Sequence, residues 1–303
     1  MRVLSAGTLG VPTITEVFNQ AFSDYYVEVS FSPGTLEDYL HRNMLELGKS
    51  LLAEDSGHLV GVLLCGDDGA TTWNAGMGVH PRWRRRGHGA ALLHRWTSEA
   101  RARGCRRAVL EVIAHNLPAR YLYRSRGFQE GRAFQGFEGR PGWQAGPRLP
   151  PEAVVEVTPE QLLPVYRGCH SFQKRPEVMR RLRGFRCLRT DGPVGRGGPG
   201  YLICDDYGGM LYIFDMTPNA AGRCLLEHVV RGGGPRLIRM VNACEPAEEE
   251  LYRSMGFRAW MRNIEMSLDL AAPPVSTSGG PSGGPPGGPS ATPPAAAPRP
   301  AVQ

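Results

Sequence analysis

Apolar positions along residues 1–140 alternate between runs of strand length and stretches with helical period, the signature of a mixed α/β or α+β sheet. Arg2–Ala6 predicts a short strand, and Pro12–Tyr25 and Thr35–Leu47 predict two helices. Leu51–Glu54 and Leu59–Cys65 read as strands joined by a turn at Asp55-Ser56-Gly57, and Thr71–Val79 as a further strand that Pro81 closes. A helix is expected over Gly87–Arg103, with Gly104 as its left-handed stop. Then come an apolar strand over Ala108–Ile113, a helix over Leu117–Arg126 and a last strand over Phe128–Phe137.

The outline then repeats. At an offset of 129 residues Gly104–Phe128 falls on Gly233–Phe257, so Leu122-Tyr123-Arg124-Ser125 meets Leu251-Tyr252-Arg253-Ser254, and Gly127-Phe128 meets Gly256-Phe257. Arg107 and Val112 meet Arg236 and Val241 in the same frame. This gapless match predicts an internal duplication: one domain over residues 1–140, a Gly/Pro-rich linker over 141–151, and a second domain over 152–270. Residues 271–303 hold ten Pro and six Gly with no aromatic, a composition too poor in apolar surface to offset its ordering entropy, and are expected to be disordered.

Composition changes this picture little. The seven Cys lie 17 or more residues apart, so no CxxC pair exists and reduced, buried thiols are expected. The eight His form no HxH or HExxH pattern, which argues against a metal. No apolar run approaches the ~18 residues of a membrane span, and Met1–Thr8 forms no secretory apolar region before Pro12, so a cytoplasmic location with no membrane partner is expected. Net charge is +6, and 33 of the 35 basic residues are Arg. More telling is the local density: nine Arg against the single acid Glu99 between Arg82 and Arg107, a field that favours phosphate.

The candidate chemistry follows from Val79-His80-Pro81-Arg82-Trp83-Arg84-Arg85-Arg86-Gly87-His88-Gly89-Ala90, which leaves a strand and opens a helix. Successive backbone N–H groups and the helix dipole converge there on one point, an anion site. Gly87 and Gly89 let the backbone approach a phosphate closely, and the Arg run adds charged donors.

On these residues the first half resembles the GNAT acyl-CoA N-acyltransferase superfamily. The pattern V-x-P-x-x-R-x-x-G-x-G is met by Val79, Pro81, Arg84, Gly87 and Gly89, and N-x-x-A-x-x-x-Y-x-x-x-G-F by Asn116, Ala119, Tyr123, Gly127 and Phe128. The resemblance implies two tandem GNAT-like domains, each a mixed sheet flanked by helices, with acetyl-CoA as donor and a primary amine as acceptor. It implies that amides of Arg85, Arg86, Gly87, His88, Gly89 and Ala90, beside Arg84, hold the pyrophosphate, and that Met77 and Val79 pair with the pantetheine arm. It further implies that Asn116 contacts the donor near its sulfur, and that Tyr123 protonates the departing thiolate. Phenol and thiol pKa values lie within about two units of each other, which suits that transfer. Glu111 is the candidate base, with His115 and a water chain as alternatives. Phe18, Phe22, Tyr25, Tyr26 and Phe31 recur near helical spacing and read as core; within that group Tyr25 and Tyr26 are the candidate acceptor contacts, because relatives build that pocket from the first helices.

The second half departs from the pattern. Its counterpart of the basic loop, Met216–Arg223, lacks the Arg run and at least one glycine; Glu111 is replaced by Met240, and Asn116 by Glu245. A worn copy that binds no CoA and supports the fold or shapes the acceptor site is expected. Glu245, Glu248, Glu249 and Glu250 read as acids complementing a helix dipole rather than as catalysts. The competing readings are a CoA-binding pseudoenzyme or sensor and a nucleic-acid binder. The latter lacks any aromatic-interleaved basic motif, so no nucleic-acid partner is expected. The acceptor's identity and the oligomeric state are not legible.

Overall fold

The computed structural model describes residues 1–140, 153–166, 171–192, 198–207, 210–233, 237–243 and 246–272. The expected linker and almost all of the expected tail lie outside them. The first half runs β1 (Arg2–Ser5), α1 (Val11–Ala21), α2 (Pro33–Arg42), β2 (Leu51–Asp55), β3 (His58–Asp67), β4 (Thr71–Val79), α3 (His88–Ala102), β5 (Arg107–Ile113), α4 (Leu117–Ser125) and β6 (Gln129–Gly139). The second half runs β7 (Val154–Val157), α5 (Pro159–Leu162), α6 (Pro176–Met179), β8 (Arg186–Thr190), β9 (Tyr201–Tyr207), β10 (Met210–Met216), α7 (Ala220–Gly233), β11 (Ile238–Ala243), α8 (Pro246–Ser254) and β12 (Arg258–Asp269).

The two first helices are shorter than the sequence pattern suggests. Arg84 Nη2 donates to the Ala21 carbonyl at 3.2 Å and so caps α1 at its end. After α2 the chain turns through Met44, with φ +52, and the Asn43 carbonyl accepts from Trp73 Nε1 at 3.0 Å. Gly104 ends α3 with φ +89, as expected.

All twelve strands form one sheet in the order β1-β2-β3-β4-β5-β12-β6-β11-β10-β9-β8-β7. Exchanging each first-half strand for its second-half counterpart reproduces this order in reverse, so the sheet carries the duplication as a pseudo-two-fold. The strands at its centre are exchanged. β12 pairs antiparallel with β5, placing Glu265 opposite Glu111 and Asn263 opposite Ile113. β6 pairs with β11, and β6 and β12 pair with each other. Each half therefore closes its sheet with the last strand of the other.

Period-two alternation buries both faces of the first-half sheet. Leu51, Ala53, Leu63 and Cys65 pack under Leu92, Leu93, Trp96 and Ala100 of α3, while Leu52, Val62 and Leu64 pack under Ile14, Phe18, Leu36 and Leu40 of α1 and α2. The second half repeats this, with α7 and α8 covering one face and the α5–α6 region the other. The five described cysteines, at 65, 105, 187, 204 and 224, are free and buried in these layers.

The duplicated helices end alike. α4 stops at Gly127, φ +87, with Gly127 N–H donating to Arg124 O and Phe128 N–H to Tyr123 O; α8 stops at Gly256, φ +82, with the same two bonds from Gly256 and Phe257 to Arg253 and Tyr252. This is a Schellman closure, which needs a left-handed residue after the helix and an apolar residue beyond it. The shared Leu-Tyr-x-x-x-Gly-Phe string thus encodes a helix stop before it encodes any chemistry.

Candidate active site

The site opens where β4 leaves β5. The two strands pair in parallel only from Thr71–Asn74 against Arg107–Leu110. On the other side of β4 the register with β3 jumps from Asn74 to Gly76, leaving Ala75 as a bulge that bends the strand away. Beyond it β4 remains paired to β3 alone. His80 N–H donates to Val60 O on β3, so by alternation Met77 and Val79 turn their main-chain groups into the gap. Arg84 Nε already occupies the Val79 carbonyl at 2.9 Å, which leaves the N–H.

The gap leads to the start of α3. Gly87 holds φ +90, a conformation costly for a side chain, and the N–H groups of His88, Gly89 and Ala90 form the first turn, where no intrahelical acceptor exists. A Cβ on Gly89 would stand 3.1 Å from Leu122 Cδ2, so this glycine also seats α3 against α4. Arg85 and Arg86 are exposed, Arg86 lying 4.9 Å over the Trp83 ring. Two expected contacts have other employment. The Arg84 guanidinium is bidentate to Asp24 at 2.8 and 2.6 Å and holds that carboxyl below its ordinary pKa. The His88 ring is buried against Asp55, 3.3 Å away, so only its backbone faces the gap. The donor-side residues fit a nucleotide pyrophosphate through main-chain donors rather than through Arg84.

At the other end of the gap lies a pocket of about 340 Å³. It is lined by Glu111 from β5, by Asn116, Ala119 and Tyr123 of α4, by Phe18 and Phe22 of α1, and by Tyr25, Phe31 and Tyr39. The second half adds Phe172, Gln173, Met261 and Asn263. Tyr26, expected here, does not line the pocket; it is half exposed and packs edge-on against Tyr25 and His115. His115 is exposed as well. Asn116 reaches the wall, but its Oδ1 accepts from Ala119 N–H at 3.2 Å as the N-cap of α4.

Glu111 has the most unusual environment. Burial pushes its carboxyl up to about 7, the Asn242 hydrogen bond pulls the other way, and the Glu265 carboxylate opposite adds to the rise. Its Oε2 accepts from Asn242 Nδ2 at 2.8 Å, and Asn242 Oδ1 accepts from Asn263 Nδ2 at 3.0 Å. Its Oε1 is buried with no hydrogen-bond partner among the described residues. Asn242 sits at φ +57, a left-handed conformation that Asn tolerates better than most residues. Tyr123 is buried, and desolvation, with Tyr25 nearby, raises its phenol well above the ordinary value. Burial likewise raises Tyr25, against the pull of its hydrogen bond to Asn116.

Asn242, Asn263, Glu265 and Phe172 carry no functional signal in the sequence. They reach the site through the strand exchange and through a segment of the second half, and the offset of 129 pairs Asn242 only with Ile113.

The acetyltransferase (GNAT) family model matches residues 13–128, the span that holds β4, the basic loop, α3, Glu111 and Tyr123. The first half is a GNAT-family domain. The fold likeness extends over both halves. A tandem GNAT protein from the clavulanic acid biosynthesis pathway is 18% identical with a TM-score of 0.62, over 88% of this chain and 97% of that one. A putative acetyltransferase from Pyrococcus horikoshii is 19% identical with a TM-score of 0.60, over 88% of each chain. A GCN5-related N-acetyltransferase from Sphaerobacter thermophilus is 15% identical with a TM-score of 0.58, over 86% and 92%. Residues 13–128 thus match the GNAT family, and the chain as a whole shares the fold of these tandem-domain structures. Among the described residues no helix is long and apolar enough to cross a membrane, and no three metal-ligating side chains cluster.

Proposed function

We propose that this GNAT protein transfers an acetyl group directly from acetyl-CoA to a primary amine, using the first-half cleft alone. The carrying observation is that one pocket, at the end of the β4–β5 gap, is lined by both a carboxylate shifted towards neutrality and a protonated phenol. Main-chain donors from Arg85 to Ala90 hold the pyrophosphate, and the Met77 and Val79 edge of β4 receives the pantetheine arm. Bound acetyl-CoA supplies the thioester carbonyl. Glu111 takes a proton from the attacking amine. Tyr123 returns a proton to the departing sulfur; burial keeps the phenol protonated across the working range, and the same desolvation raises a thiolate's affinity for that proton. Both groups then exchange with water and reset.

Thiol release from acetyl-CoA in the presence of an amine panel tests the reading. Wild type releases one CoA per acetylated amine, and Tyr123→Phe, with cofactor affinity unchanged, lowers kcat about 10²-fold or more. A wild-type protein that binds acetyl-CoA and acetylates no amine would return the chain to the sensor class.

A further inference from the structure

Resting on the reading above, we infer that the acceptor is a small primary amine on an apolar, aromatic-sized body, and that carboxylated, phosphorylated and polypeptide amines are excluded. Aromatic side chains form much of the pocket lining. Phe18 stacks on Phe22 at 4.3 Å and meets Phe31 at 5.1 Å; Phe31 meets Tyr39 at 5.1 Å; Trp73 and Phe172 lie 4.5 Å apart. Such walls hold a flat apolar body well and a hydrated one poorly.

Several polar groups of the lining are committed to the protein. The Tyr39 hydroxyl donates to the Ala75 carbonyl at 2.6 Å, Asn74 Oδ1 accepts from Gly76 N–H at 2.8 Å, and Asn263 Nδ2 donates to Asn242 Oδ1. A sugar or a peptide would bury several donors and acceptors here without partners.

Charge narrows the class further. Among the described lining residues Glu111 is the single charged side chain, and its Oε1 has no hydrogen-bond partner there. It suits an amine, charged or neutral. A substrate carboxylate or phosphate would meet that carboxylate with no Arg, Lys or His among the described lining residues to offset it. Size points the same way, since about 340 Å³ must hold both the acetyl end of the donor and the acceptor. Phe172 and Gln173 of the second half form part of the wall, so the second copy helps to set what enters.

The test offers acetyl-CoA with phenethylamine, L-glutamate, glucosamine 6-phosphate and an alanine-initiated hexapeptide in turn, reading kcat/KM by CoA release and product mass. Phenethylamine is expected to exceed each of the other three by about a hundredfold or more, the discrimination that an unpaired buried charge or several unmet hydrogen bonds provide. Comparable or better turnover of glutamate, the sugar phosphate or the peptide overturns the inference while leaving the acetyltransferase reading intact. Acetylation of none of the four, with acetyl-CoA bound, counts against both.

Discussion

The two halves close their fourth and eighth helices with the same residues, yet the clefts beside those helices hold opposite contents. In the first cleft the bulge at Ala75 is followed by Gly76, Ala119 stands on α4, and Tyr123 faces an open pocket. In the second, the equivalent bulge falls at Phe214 and is followed by Asp215, and Glu248 stands where Ala119 does. Between these two acids lies Lys174, its Nζ 3.1 Å from Asp215 and 4.0 Å from Glu248, all three buried together with Tyr252. Tyr201 donates to the other oxygen of Asp215 at 3.3 Å. Glu248 is thus not only a complement to a helix dipole, as its sequence setting suggests, but part of a buried ion cluster.

The approach to the second cleft is altered too. Twelve residues separate Ala75 from the start of α3 at His88, whereas five separate Phe214 from the start of α7 at Ala220. The loop is therefore seven residues shorter in this frame. No Arg run crosses it, and the chain meets its own helix start: Asn219 Oδ1 accepts from Gly222 N–H at 3.0 Å, while a Cβ on Gly222 would strike the Thr217 carbonyl. The first helix start has no side-chain cap, whereas the second is capped from within. The duplicated scaffold thus keeps its helix stop and its sheet while the two clefts differ, one an open pocket and the other a buried ion cluster.

The largest expected effect comes from Glu111→Gln. As the proposed base, its loss lowers kcat by about 10²–10⁴-fold, and wild-type kcat/KM rises with pH until about 7 and then levels. The same substitution has a stability signature. The folded carboxyl is raised above its ordinary 4.5, so wild-type stability is full below about 4.5 and falls as pH rises through about 7. Glu111→Gln, which keeps an acceptor for Asn242, should raise Tm at pH 8.5 and leave it nearly unchanged at pH 4.5; a higher Tm only at acid pH would refute the assignment.

Next comes Lys174→Ala, which strands Asp215 and Glu248 in the interior. Chemical denaturation should show a loss of about 3–5 kcal/mol. A loss below 1 kcal/mol would mean that the cluster is not what closes the second cleft.

A smaller effect is expected at Asn242. Asn242→Gly preserves the left-handed backbone and removes the hydrogen bond that lowers the Glu111 pKa. The acid limb of the pH–rate profile should therefore move upward, with folding retained. An unmoved limb would deny the second half a part in setting the base.

The smallest is Tyr252→Phe. The tyrosine that aligns with Tyr123 should leave acetyl transfer unchanged, its role being packing beside Phe137, 5.4 Å away between ring centres. A drop comparable with that of Tyr123→Phe would erase the distinction between the clefts.

Much of this was legible because the signals are local. Gly87 and Gly89 after a strand, Asn116 three residues before Ala119, and Gly127 before Phe128 each encode a conformation within a few residues. The loop, α3 and the end of α4 follow from them. The strand exchange has no local code. β6 and β12 follow identical helix stops and present similar patterns, so either could close against β5 or β11, and the choice rests on long-range pairing. Asn242 and Asn263 reach Glu111 only through that choice. Lys174 was hidden for a related reason: its acids come from β10 and α8, 41 and 74 residues further along. Arg84, a motif position read as a cofactor contact, also bonds Asp24 and the end of α1, partners that no local pattern announces.

The central claim is that one cleft works and the other is filled by the chain itself. Calorimetric titration of acetyl-CoA into the full-length chain tests it most directly. The account predicts one cofactor per chain, with binding lost in Gly89→Val, whose side chain would collide with Leu122. Two cofactors per chain, or one that survives Gly89→Val, would contradict it.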